Sequence, residues 1–161
     1  MPALDANVRV NPSEEMIQVV GTDIVRFLVT GADSGGSVAL FEITIAAGSG
    51  LPAPPHSHDG YEETIYGVAG VLTWTVNGTP HDVGPDQALC IPRGAVHRFM
   101  NKGVTDARAL CVVSPGVLGP AYFREMGAVI AEAAGGPPDQ AKAMEVMRRH
   151  GLTPAPPPQA A

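Results

Sequence analysis

At 161 residues the chain is the size of one domain and long enough to bury a real core. Ten Lys and Arg stand against sixteen Asp and Glu, a formal charge of −6 with no basic run, which argues against a nucleic-acid partner. No apolar run approaches the length of a membrane span, and the N-terminal residues lack the basic-then-apolar pattern of a secretory signal, so the expectation is a soluble, cytoplasmic protein with no membrane partner.

Residues 1–36 read as a lead-in that joins a β-domain. It carries two short strand-like runs, Met16–Val20 and Ile24–Val29, and ends in a Gly-rich turn at 31–36. Residues 37–116 hold the densest strand signals. Val38–Ile45 is rich in β-branched and apolar residues. Leu72–Val76 alternates and runs into Asn77-Gly78, a strong hairpin signal, after which Thr79–Val83 returns. Ala88–Ile91, Val96–Met100 and Ala107–Val113 complete a series of short strands with closely spaced turns, the pattern of an all-β sandwich or barrel. Cys90 and Cys111 each sit in an apolar stretch and read as small core residues, a disulfide being the weaker alternative. Residues 117–152 change character. Ala121–Ala134 has helical spacing of Tyr122, Met126, Val129 and Ile130, and Gly135-Gly-Pro-Pro138 stops it. Asp139 is placed to cap a second helix, Gln140–His150, with Gly151 as its end. Residues 153–161 are rich in Pro and Ala and read as a flexible tail.

The residues that carry chemistry are clustered. His56 and His58 are two apart, so in extended backbone both rings point to one face. Asp59-Gly60 turns the chain toward Glu62 and Glu63, which on a strand point to opposite faces, and local spacing alone does not choose between them. His97 follows the turn chemistry of Pro92-Arg-Gly94, on a face shared with Phe99 and Asn101. Three imidazoles and one carboxylate, with no thiolate, suit a single divalent Fe, Mn, Ni, Cu or Zn ion.

These spacings resemble the two sequence patterns of the cupin superfamily. Gly50, His56, His58, Glu63 and Gly70 fit the first, and the position of Gly70 selects Glu63 over Glu62. Pro92, Gly94, His97 and Asn101 fit the second, whose leading glycine is replaced here by Asp86. The resemblance implies a jelly-roll β-barrel with two C-terminal α-helices, and a metal held by His56, His58, Glu63 and His97. Within the superfamily the chain looks most like single-domain quercetin dioxygenase-like cupins, through Tyr61–Tyr66, Ile91–His97, Ser114-Pro-Gly116 and Arg149-His150-Gly151. That implies a dioxygenase taking O2 and a small phenolic or enolisable substrate. Glu63 would then be the catalytic residue, a ligand that also takes the substrate proton. Resemblance further implies a homodimer, with the N-terminal strands as plausible pairing edges.

Tyr61, Tyr66 and Phe99 are the candidate substrate-pocket residues, although aromatic residues on strands are more often core. Glu62, Arg98 and His81 read as surface residues, and His150 as a cation at a helix C-terminus. No phosphate loop, dinucleotide fingerprint or nucleophile elbow is present. Two other functions remain in view: a non-oxidative lyase or isomerase using the metal as Lewis acid, and a non-catalytic small-molecule-binding module.

Overall fold

The structure, a computed structural model, describes residues 9–156. Eleven strands and two helices are present among the described residues. The strands are β1 (Glu15–Val20), β2 (Asp23–Val29), β3 (Ala39–Ile45), β4 (His56–His58), β5 (Glu62–Ala69), β6 (Leu72–Val76), β7 (Thr79–Val83), β8 (Ala88–Ile91), β9 (His97–Met100), β10 (Ala107–Ser114) and β11 (Leu152–Pro154). The helices are α1 (Pro120–Glu132) and α2 (Gln140–Arg149). They form two sheets, ordered β1-β2-β3-β10-β5-β8 and β11-β4-β9-β6-β7. The sheets do not close on each other, so the expected jelly-roll barrel is a jelly-roll sandwich. Its two layers hide their inner faces without ring closure.

Alternation builds the inner faces. β3 reads Ala-Leu-Phe-Glu-Ile-Thr-Ile with every second residue buried, and β10 repeats the pattern beside it. The β6–β7 hairpin turns at Asn77-Gly78, both at positive φ (46° and 81°), as the sequence signal requires. α1 starts with Pro120 at its first turn and buries Tyr122, Phe123, Met126, Val129 and Ile130. Phe123 packs its ring 5.3 Å from Phe41 and 5.8 Å from Phe27, tying the helix to the larger sheet. Asp139 caps α2 by accepting from the Ala141 and Lys142 amides, at 2.9 and 3.1 Å.

Two readings of the sequence are corrected. Cys111 is buried as expected, but Cys90 is exposed on the edge strand β8, and both thiols are free. The tail does not begin at 153: Thr153 and Pro154 belong to β11, which pairs with β4. The remainder of the expected flexible tail, from 157, lies outside the described residues. No helix among the described residues is long and apolar enough to cross a membrane.

Candidate metal centre

His56 and His58 lie on β4, His97 on β9 and Glu63 on β5, so the two sheets bring the four residues together from three strands. The turn geometry explains the surrounding residues. Asn101 is fully buried and donates to the Ile45 and Thr105 carbonyls while its side-chain oxygen accepts from the Gly103 amide. Its own amide donates to the Ser49 carbonyl. It therefore fixes the loop after β9 and is structural. At Gly50 a Cβ would lie 2.9 Å from the Phe99 carbonyl oxygen, so a side chain there would push β9 away.

One ring nitrogen from each of His56, His58 and His97 lies within 4.8 Å of the others. The other nitrogens set the tautomers. His97 Nδ1 donates to the Ala95 carbonyl at 2.9 Å and His56 Nδ1 to the Pro54 carbonyl at 3.1 Å, which leaves both Nε2 lone pairs free for a ligand. His58 is buried, and neither of its ring nitrogens has a hydrogen-bond partner. Glu63 Oε2 is 3.4 Å from His97 Nε2 and 3.6 Å from His58 Nδ1.

The charge states of this donor set suit a cation. Burial, reinforced by the neighbouring imidazoles, pulls the His56 pKa down to about 3. Burial also pulls His58 down to about 4, with Glu63 opposing. Both rings are therefore neutral donors at pH 7. Burial pushes the Glu63 carboxyl up, but the bond to His97 and the three imidazoles outweigh it and hold the pKa below its ordinary value. Burial likewise lowers His97, yet the contact with Glu63 outweighs it and leaves the pKa raised. A proton on His97 is one way to reconcile a carboxylate with a facing imidazole. A divalent ion is the other, and it also satisfies the orphaned His58 nitrogen, which a proton on His97 does not. The residues fit a metal with nitrogen and oxygen ligands.

The centre opens into a partly enclosed cavity. Its walls are mostly apolar: Phe41, Ile43, Leu51, Trp74, Phe99, Leu118, Phe123 and Leu152 among them. Phe99 lies on the cavity wall, its ring 4.6 Å from Trp74. Tyr61 stacks on His58 at 4.3 Å, behind the imidazole and not on the cavity wall, and its buried hydroxyl has no partner. Tyr66 lies away from this cavity. It is 41 % exposed and donates to Asp86 at 2.7 Å, because on β5 it faces away from Glu63. Glu62 is a surface residue paired with Arg93 at 2.8 Å, and Arg98 is exposed.

Sequence reasoning missed Tyr122, Cys111 and Leu152 as cavity residues. Tyr122 was legible only as part of the apolar stripe of a helix. Burial, then the nearby Glu63 charge, raises its phenol well above the ordinary range, so it stays protonated. Leu152 follows a helix stop and gave no periodic signal.

Residues 41–113 match the Cupin domain family, and the two-sheet jelly roll agrees with that match. Protein SchB from Streptomyces halstedii is 30% identical over 91 residues, 56% of this chain and 65% of SchB. The tetracenomycin polyketide synthase protein TcmJ from Streptomyces glaucescens is 32% identical over 91 residues, 56% of this chain and 60% of TcmJ. In both cases the alignment spans less than two thirds of the relative's own length. Among solved structures, one described as a predicted oxalate decarboxylase from Thermotoga maritima superposes with a TM-score of 0.58 at 22% identity. It covers 67% of this chain and 99% of that one, a likeness of fold alone.

Proposed function

We propose that this protein is a metal-dependent dioxygenase of the quercetinase-like kind, acting on a small, largely apolar, phenolic or enolisable substrate. The observation that carries the reading is the joining of a three-histidine cluster, with the Glu63 carboxylate beside it, to an apolar cavity. His56, His58, His97 and Glu63 would hold the ion. When bound, a divalent metal supplies Lewis acidity that lowers the pKa of a substrate hydroxyl and, if redox-active, a route for electrons to O2.

The chain's own groups do the rest. Glu63, kept ionised by its imidazole neighbours, takes the substrate's enol or phenol proton at a carboxylate oxygen. Tyr122, protonated and on the cavity wall, is a hydrogen-bond donor for a substrate oxygen. Phe41, Trp74 and Phe99 hold the apolar body of the substrate and exclude water from the reacting end.

A second reading is favoured by one observation. TcmJ is by name a polyketide synthase protein, and polyketide chains are rich in enolisable 1,3-dicarbonyl units. The same site would then promote enolisation without O2, as in a ring-closing or isomerising step.

Oxygen uptake by metal-reconstituted protein, with flavonols and 1,3-diketones as substrates, tests the proposal. Uptake coupled to substrate loss is the expected result. Turnover that persists under strict anaerobiosis moves the protein to the second reading. Tight binding with no turnover in either atmosphere leaves a small-molecule-binding module.

A further inference from the structure

We infer that the C-terminal strand β11 is a positioning element of the metal centre. By pairing with β4 it holds His56 and His58 in register with His97, so metal affinity depends on residues 152–155. The inference rests on the metal reading above and concerns a segment that lies wholly outside residues 41–113, the span of the cupin match.

β4 is three residues long, and its register with β9 consists of one pair, His56 with His97. One further bond, from the Gly94 amide to the His58 carbonyl at 3.0 Å, joins it to the loop before β9. On its other side β11 pairs with all three residues: Leu152 with His58, Thr153 with Ser57 and Pro154 with His56. The ladder extends one step further, where the Ala155 amide donates to the Pro55 carbonyl at 2.8 Å. Antiparallel pairs alternate between bonded and non-bonded, so that bond makes Thr153–Ser57 the exchanging pair. Pro154 then falls at a position where its missing N–H is not needed.

Side chains lock the same register. Asp59 accepts from Thr153 Oγ1 at 2.7 Å through one carboxylate oxygen and from Ser57 Oγ at 2.9 Å through the other. Leu152 is 2% exposed and lines the cavity opposite His58. The clamp is itself anchored. Glu125 on α1 accepts from Arg149 at 2.6 Å and pairs with His150 at 3.0 Å, just before β11 begins.

β11 is the outermost strand of its sheet. Without it β4 becomes an edge strand with almost no ladder, and a slip of one residue would turn both imidazoles out of the cavity. The coupling is reciprocal: metal on β4 must also stabilise the docking of β11.

The test uses the full chain with Thr153→Pro, which removes the amide that pairs with Ser57, and Ala155→Pro as a milder variant. Co(II) is the probe, titrated by its visible absorption, with hydrogen exchange read over residues 54–60 and 151–156. Wild-type protein is expected to bind Co(II) with slowed exchange in both segments. Thr153→Pro is expected to unfold cooperatively yet bind Co(II) about 10- to 100-fold more weakly, the range seen when groups that orient metal ligands are lost. Its metal-free form should exchange faster at 54–60, and Ala155→Pro should move the same way by less. If Thr153→Pro does not fold, Ala155→Pro and the wild-type exchange decide. Folded variants that bind Co(II) within about twofold of wild type overturn the inference alone. A wild-type protein that binds no Co(II) overturns the metal reading and this inference with it.

Discussion

Glu63 and the histidine pair reach one cavity from strands of opposite kinds. Glu63 is carried by β5, eight residues long and flanked by β10 on one side and β8 on the other. Its neighbour Ile65 is fully buried in the core between the sheets. His56 and His58 ride on three residues whose position depends on a strand nearly a hundred residues away. The carboxylate is therefore set by the global fold, and the imidazole pair by local docking. A site built this way can lose its metal without unfolding, and can lose stability without losing its donor geometry.

The largest expected effect lies on the histidine side. His58→Ala should abolish stoichiometric metal binding, measured by mass spectrometry of the purified protein, while the metal-free melting temperature stays near or above wild type. Removing an orphaned buried imidazole offsets the packing it takes away. In the wild type, metal at about a thousand times Kd should add about 4 kcal/mol of stability, and a chelator should remove it. The matching change on the other side is Ile65→Ala. It should cost about 2–5 kcal/mol of stability, read by denaturant unfolding, with metal affinity per folded molecule unchanged. If Ile65→Ala weakens metal binding as much as His58→Ala does, the two strands are not independent and the comparison fails.

Acid should act on the histidine side first. In the metal-free protein His56 and His58 are depressed to about 3 and 4, against 6.5 in the unfolded chain. As pH falls below 6.5 the unfolded chain binds protons that the folded chain refuses, so stability declines. His97 is raised, so its contribution is already complete below 6.5 and does not change in this window. Glu63 is lowered, and its contribution starts to fall only below about 4.5. Melting temperature should therefore drop steadily from pH 6.5 to 4.5. Replacing His56 and His58 together by Asn should flatten that slope.

How much of this could be read from residues alone follows the same division. The β5 side was legible because its information is local. Alternation marks the strands and Asn77-Gly78 marks the hairpin, while the choice of Glu63 over Glu62 comes from the resemblance to the cupin pattern, through Gly70. Gly70 stands at φ 65° with the Asp106 carbonyl oxygen 2.8 Å from where a Cβ would be, which is why only glycine suits that turn. Strand alternation turns Tyr66 away from Glu63, a placement its aromatic character alone does not reveal. The partner of β4 was illegible. Leu152-Thr-Pro has no periodicity of its own, and its prolines read as a tail. What makes it a strand is the edge it meets. Tyr122 was hidden in the same way, since an amphipathic stripe does not say which of its residues meets a cavity.

The smallest expected effect tests the rigid side at its periphery. Asp86 occupies the position where the cupin pattern has glycine, in the turn between β7 and β8, and it adopts φ 62°. Aspartate tolerates that conformation better than most residues because its short polar side chain bonds locally, and here Oδ1 accepts from Tyr66 on β5. The Asp86 amide also donates to the Gly67 carbonyl at 3.0 Å, so the turn is tied to the strand that carries Glu63. Asp86→Gly relieves the backbone and loses one exposed hydrogen bond, while its freer unfolded chain costs stability. These terms should cancel to within about 0.5 kcal/mol. Asp86→Ala keeps the strain and loses the bond, and should cost about 1–2 kcal/mol. Neither should change metal affinity, because β10 holds β5 from the other side along nearly its whole length. A metal affinity that followed the stability of this turn would show that Glu63, too, is positioned locally, and that the two halves of the site differ in strand length but not in kind.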